Sequence, residues 1–251
     1  MIELQNFSTG YSGRTLLRDA TVVFGNSSLT ALIGRNGSGK STLLRAIAGL
    51  NRHYSGNILL DGHDLSLMKP QQLAHTIAFV NTERTRIASL RCQDVVAMGR
   101  APYTNWFGRM QDIDREAVAQ ALACTGMTEY ALRTMDTMSD GECQRIMIAR
   151  ALAQDTPTII LDEPTSFLDL PSRYELVALL RELAHNSGRC VLFSTHELDI
   201  AMQQCDSIAL LDTPQLRHLP ADEMRHSEYI DRLFRNDTIR FDAESGTMKL
   251  S

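Results

Sequence analysis

Hydrophobic positions along the chain follow two periods. Leu29-Thr30-Ala31-Leu32-Ile33, Ile77–Val80, Thr158–Leu161, Arg189–Ser194 and Ser207–Leu211 are short, nearly unbroken apolar runs, the pattern of strands covered on both faces. Between them, helical spacing predicts helices over Ser41–Leu50 (closed by Gly49), Gln93–Arg100, Asp114–Thr125, Gly141–Ala153, Arg173–Asn186 and Glu197–Cys205. Strands alternating with helices build βαβ units and a mostly parallel sheet. The first thirty residues differ. Short β-rich runs, Ile2–Leu4 and Ala20–Phe24, are separated by turn residues such as Gly25-Asn26-Ser27-Ser28. From about Arg86 to Ala153 no strand pattern occurs, which predicts a helical lobe inserted into the sheet domain. The expected division is a core of residues 1–85 and 154–212, a helical lobe of 86–153, and a C-terminal appendage of 213–251.

Bulk properties narrow the picture without naming a chemistry. A chain of 251 residues suits one large α/β domain or two small ones. The net charge of −5, with no block of Lys or Arg, argues against a nucleic-acid partner. Cys92, Cys124, Cys143, Cys190 and Cys205 are odd in number and lack metal-ligand spacing, as expected of reduced thiols in a cytosolic protein. The opening MIELQNFSTG has no basic n-region before an apolar h-region, so no signal peptide is read there. No apolar run approaches the ~20 residues that cross a bilayer. Any membrane role is therefore peripheral.

One motif carries chemistry on its own. Gly34-Arg35-Asn36-Gly37-Ser38-Gly39-Lys40-Ser41 matches G-x-x-x-x-G-K-[ST], between a buried strand and a helix. Glycines let backbone N–H groups converge on phosphates, Lys40 reaches the β/γ-phosphates, and Ser41 ligates Mg²⁺. The helix N-terminus adds its positive dipole. Downstream, Thr158–Leu161 runs into Asp162-Glu163. Asp162 at the strand tip suits the Mg²⁺ shell, and Glu163, pointing elsewhere, suits proton abstraction from an attacking water.

Further along, the residues resemble one family, the ATP-binding cassette (ABC) ATPases. Met138-Ser139-Asp140-Gly141-Glu142-Cys143-Gln144-Arg145 looks like the family signature, approximately LSGGQ or LSGGE. Ser166-Phe167-Leu168-Asp169 looks like the D-loop and Ser194-Thr195-His196 like the switch-histidine segment, while Tyr11 resembles the aromatic residue that stacks on adenine. Together these cover Tyr11 to Leu211 in the family's order. The resemblance implies an α/β fold: a P-loop NTPase core with a mostly parallel sheet, an N-terminal antiparallel β subdomain and an inserted helical lobe. It also implies ATP and Mg²⁺ as ligands and a head-to-tail dimer of two copies sandwiching two ATP molecules. Contacts to nucleotide would come from Tyr11, Gly34, Asn36, Gly37, Ser38, Gly39, Lys40, Ser41 and Thr42, and from Ser139, Gly141 and Glu142 of the opposite copy. Glu163 would be the general base, and His196 would hold the γ-phosphate.

Two departures stand out. Asp140 replaces the first signature glycine, and reads as tolerated with its side chain turned away. Thr82 falls where the family has its Q-loop glutamine, with Glu83 beside it, so the metal or water contact is assigned to Thr82 or Glu83. Val95–Tyr103, containing Gly99-Arg100-Ala101-Pro102-Tyr103, resembles the segment of importers of iron–siderophore complexes, haem and cobalamin that meets the membrane permease. Tyr103–Gly108, with Trp106, extends it as an aromatic patch suited to a protein contact. These features imply a transport ATPase, cytoplasmic and peripheral on the inner face of the cell membrane. Its partners would be integral-membrane permease subunits, with a substrate-binding protein in the full system. The alternative is a non-transport cassette acting on nucleic acid or in iron–sulfur assembly.

Overall fold

The computed structural model describes residues 1–11, 13–81, 89–104 and 108–250, the side chain of Tyr11 excepted. Thr82 and Glu83, and Trp106 with its two neighbours, lie outside the described residues. In chain order the elements are β1 (Ile2–Tyr11), β2 (Arg14–Phe24), β3 (Ser28–Gly34), α1 (Lys40–Ile47), β4 (Tyr54–Leu60), β5 (His63–Asp64), α2 (Pro70–Thr76), β6 (Ile77–Val80), α3 (Cys92–Ala97), α4 (Asp112–Cys124) and α5 (Asp140–Ala153). There follow β7 (Thr158–Leu161), α6 (Leu170–Asn186), β8 (Cys190–Thr195), α7 (Leu198–Gln204), β9 (Ser207–Asp212), β10 (Gln215–Pro220), α8 (Ala221–His226), α9 (Tyr229–Phe234), β11 (Ile239–Asp242) and β12 (Thr247–Leu250).

The main sheet has the order β10-β9-β3-β8-β7-β6, and its five strands from β9 to β6 are parallel. Alternate residues of its central strands enter different cores. Leu32, Ile160 and Leu192 pack with α1 and the antiparallel sheet β2-β1-β4-β5, while Ala31, Ile33, Ile159, Leu161, Val191 and Phe193 pack against the other helices. Both faces being covered is the reason these strands read as unbroken apolar runs. Each fully buried aliphatic side chain of this kind contributes roughly 1.5–3 kcal/mol.

The structure differs from the sequence expectation at three places. The N-terminal strands are longer, because polar residues on β1 and β2 occupy the outward positions of one antiparallel pair. The pairing is irregular between Leu4 and Gly10, where Asn6 takes φ +48°. Tyr54–Leu60 is a strand although its first half is polar and holds Gly56. Gln215–Pro220, expected in an appendage, is the antiparallel edge of the main sheet, its polar residues suiting a strand paired on one side only.

The segment expected at a permease contact ties α4 and α5 together. A Cβ on Gly99 would run into the carbonyl oxygen of Arg150, so only glycine lets this turn meet α5. The Arg100 guanidinium donates to Asp114 Oδ1 at 2.9 Å and to the Ala153 carbonyl at 2.9 Å, tying α4 to the C-terminal end of α5. Tyr103 Oη reaches the Gln154 carbonyl at 3.0 Å, and the Arg100 guanidinium lies 3.8 Å from the Tyr103 ring centre. Gly99 and Arg100 are thus spent on internal packing; Met98 and Tyr103 remain on the surface.

Candidate functional site

Three parallel strands deliver the site. β3 lies beside β8, and β8 beside β7, with Ile33 opposite Thr195 and Leu161 opposite Phe193. Their C-terminal ends therefore release Gly34, Asp162 and Ser194-Thr195-His196 at one edge, the position where open parallel sheets bind ligands. The loop after β3 turns into α1 through Gly39 at φ +107°, where a Cβ would crowd Leu16 at 3.0 Å. A side chain there would be strained twice, by backbone and by contact.

At this edge the described polar groups form a connected set. Lys40, nine-tenths buried, donates from Nζ to the Gly34 carbonyl at 2.9 Å and lies 3.8 Å from Glu163 Oε1. Burial lowers the Lys40 ammonium pKa below its ordinary value, and the Glu163 and Asp162 charges partly offset that. Ser41 Oγ donates to Asp162 Oδ1 at 3.0 Å, and Ser194 Oγ donates to the same oxygen at 2.7 Å. Ser194 Oγ also accepts the Glu163 backbone N–H at 2.8 Å. Glu163 takes φ +46°, a left-handed conformation costing a non-glycine residue about 1–3 kcal/mol, and such outliers concentrate at functional sites. Its Oε2 accepts from Ser166 Oγ at 3.1 Å and lies 3.7 Å from His196 Nδ1.

A cleft of about 200 Å³ opens over this set, lined by Leu16, Asn36, Gly37, Gly39, Lys40, Ser41, Thr42 and Glu163. Inside the loop, Ser38 Oγ is buried without a hydrogen-bond partner, and the Ser38 carbonyl accepts from Thr213 Oγ1 at 3.1 Å. Backbone N–H groups at a helix start, one lysine and a hydroxyl are the donors that phosphate oxygens need. Ser41 and Asp162 offer two hard oxygen atoms side by side, and no cluster of three or more His, Cys, Asp or Glu occurs among the described residues. That set fits Mg²⁺, which keeps most of its shell as water and phosphate oxygens.

The signature residues lie in a second cleft. Ser139 caps α5, its hydroxyl accepting the Glu142 N–H at 3.3 Å, while Glu142 Oε2 accepts from Ser139 N at 2.7 Å and Ser139 Oγ at 2.9 Å. The Ser139 N–H, above all, holds the Glu142 carboxyl below the usual carboxylate range. Glu142 is thus turned back onto its own helix start, and Asp140 sits in the first turn, where negative charge is favourable. This cleft is lined by Ser139, Gly141, Glu142, Arg145, Leu168, Ser172, Glu175 and Leu176 and shares no residue with the phosphate-loop cleft. In one copy of the chain, the two expected halves of a nucleotide site are apart.

Tyr11 pairs with Arg14 through its backbone at the β1–β2 turn; its side chain is outside the description, as are Thr82 and Glu83. Two residues named only as members of the D-loop and switch-histidine segments have contacts that sequence reading did not supply. Ser194 fixes Asp162, a partner known only once the strands are side by side, and Ser166 holds the Glu163 carboxylate within one loop.

The ABC transporter family profile matches residues 17–166. A petrobactin import ATP-binding protein of Bacillus anthracis is 33% identical over 98% of this chain and 89% of its own length. An iron(3+)-hydroxamate import ATP-binding protein of Bacillus subtilis is 36% identical over 80% of this chain and 74% of its own. Among solved structures, a dimeric, post-hydrolysis ATP-binding cassette bound to ADP and Pi superposes with a TM-score of 0.75 at 25% identity, covering 88% of this chain and 99% of the other. With the phosphate loop, the carboxylate strand and the signature helix placed as described, the chain belongs to the ABC transporter family, as an ATP-binding cassette.

Proposed function

We propose that this chain binds ATP with Mg²⁺ in the phosphate-loop cleft and hydrolyses it as half of a head-to-tail dimer, driving uptake of an iron complex (siderophore or haem) or cobalamin through a membrane permease. The observation that carries the hydrolysis reading is the position of Glu163. Its carboxylate lies at the mouth of the cleft, between Lys40 at 3.8 Å and His196 at 3.7 Å, on a backbone held by Ser194.

In this reading the Gly34–Gly39 loop and Lys40 hold the β/γ-phosphates, and the neighbouring cleft that Thr42 shares with Gly10 and Gly13 would take the adenine, stacked on Tyr11. Ser41 and Asp162 would hold Mg²⁺, which when bound neutralises charge on the phosphate oxygens. Glu163 Oε2 accepts the proton of the attacking water, and Ser166 orients that oxygen. His196, 3.7 Å from the Glu163 carboxylate, would contact the γ-phosphate. Ser139 and the Gly141 backbone, with Glu142 hydrogen-bonded to Ser139 beside them, would close the site of the second copy, which accounts for two separate clefts on one chain. Thr82 or Glu83 would complete the metal shell. No described helix is long and apolar enough to cross a membrane, so the chain would sit peripherally on the cytoplasmic face, against permease subunits, with a substrate-binding protein in the full system and no nucleic acid. The cargo reading is supported by the relatives' iron-complex import and by the Gly99–Tyr103 resemblance. The same reading divides the chain into a core of residues 1–85 and 154–212, extended by β10, a lobe of 86–153 that turns against it, and the remaining C-terminal piece.

Glu163→Gln tests it. Steady-state turnover should fall about 10²–10⁴-fold with ATP binding retained, and the protein should become a dimer in ATP by size-exclusion chromatography. Parental turnover in that variant would remove Glu163 from the reaction.

A further inference from the structure

The loop between β7 and α6 holds two strained residues within five positions, Glu163 at φ +46° and Phe167 at φ +69°. Such a loop keeps its shape only when its surroundings over-determine it. One support comes from α6. Arg173 Nε donates to the Leu168 carbonyl at 2.8 Å, immediately after Phe167. The same guanidinium lies 2.8 Å, through Nη1, from Glu197 Oε1. Glu197 follows His196 directly and is only 8% exposed, and its N–H is held by Thr195 Oγ1 at 3.1 Å. Burial disfavours that carboxylate's charge, and Arg173, 2.8 Å away, offsets the burial more than His196 or the Thr165 hydroxyl does. Tyr174 Oη, donating to Asp199 Oδ2 at 3.4 Å, links the same two segments a second time.

We propose that Arg173 and Glu197 are positioning residues for ATP hydrolysis: a half-buried ionic strut fixing the loop that carries Glu163 and Ser166 against the segment that carries His196. This rests on the reading that Glu163 and His196 carry the chemistry. Buried ion pairs are often close to neutral for stability when both partners are replaced by apolar groups. What the strut contributes is direction: one planar guanidinium spans a carbonyl on one loop and a carboxylate on the other. Without it, the loop is free to relax toward ordinary φ values, and the 3.7 Å separation of Glu163 Oε2 from His196 Nδ1 is no longer enforced.

The test uses the full chain with ATP and Mg²⁺, measuring kcat, KM, equilibrium ATP affinity and melting temperature. Arg173→Met should lower kcat about 10- to 100-fold, the scale of a ~1 Å misplacement, while ATP affinity changes less than about threefold. Arg173→Lys, which keeps the charge but cannot span both oxygens, should recover only part of that loss. Arg173→Met combined with Glu197→Gln should be no slower than Arg173→Met alone, because both act through one contact. Parental kcat in Arg173→Met, or a parallel fall of kcat and ATP affinity that Arg173→Lys does not rescue, overturns the strut. Should Arg173→Met fail to fold, Glu197→Gln decides: reduced kcat at unchanged affinity supports it, parental kcat overturns it. Glu163→Gln run alongside separates the two levels. If that variant hydrolyses ATP at the parental rate, the underlying assignment fails; if it is dead while the strut variants are active, only the strut fails.

Discussion

Ser194 has a single hydroxyl and holds two carboxylate-bearing residues with it, donating to Asp162 Oδ1 and accepting the Glu163 N–H. Asp162 and Glu163 are adjacent yet point to different tasks, and this bridge at their base keeps those directions apart. Ser194→Ala should therefore disturb turnover more than binding, with kcat down about 10- to 100-fold and ATP affinity nearly parental in equilibrium titration. Lys40 is the opposite case. It lies buried between the Gly34 carbonyl and Glu163 with its charge partly offset. Phosphate oxygens supply a stronger partner for that charge, so Lys40→Ala should weaken ATP binding itself about 10- to 100-fold, the worth of a charge-assisted hydrogen bond. The glycine loop, Lys40 and Asp162-Glu163 were legible in the sequence because each is a local pattern whose geometry follows from its own spacing. The contact made by Ser194 was not, since its partner Asp162 is 32 residues away along the chain.

The same distinction holds for elements. Strands β3, β7, β8 and β9 were legible because burial on both faces forces an apolar run, whereas β10 carries Gln215, Arg217 and His218 on an edge and reads as loop. The short turn Met98–Arg100 reads as a docking segment because its motif is known from a function, and its Gly99 and Arg100 also fasten α5, a task the motif alone does not reveal. Breaking the Arg100–Asp114 pair by Asp114→Ala leaves a guanidinium buried without its carboxylate and should cost about 3–5 kcal/mol in a urea melt. Gly99→Ala, which forces the turn off Arg150, should lower stability by roughly 1–3 kcal/mol. On β10, His218 Nε2 meets Ser207 Oγ at 2.9 Å, and Ser207 meets Thr30 Oγ1 at 2.9 Å, a polar chain crossing three strands. Burial lowers the His218 pKa, so the folded state binds this proton less readily than the unfolded chain. Its contribution is complete above the ordinary histidine value of about 6.5 and is lost as pH falls below it. The melting temperature should accordingly drop between about pH 6.5 and 5, with a shallower slope in His218→Gln.

At the scale of the whole molecule, the phosphate-loop cleft and the signature cleft share no residue. In a two-fold pairing each complete site draws one cleft from either copy. Genetics then gains an unusual handle. Chains bearing Lys40→Ala and chains bearing Ser139→Ala are each inactive alone, because every site in either homodimer is damaged. Mixed and reassembled, the two populations form hybrids in which one site collects both lesions and the other collects none. About a quarter of all sites in a one-to-one mixture should be whole, and ATP hydrolysis should reappear in proportion. Two broken proteins would rescue one another without exchanging a single atom of sequence.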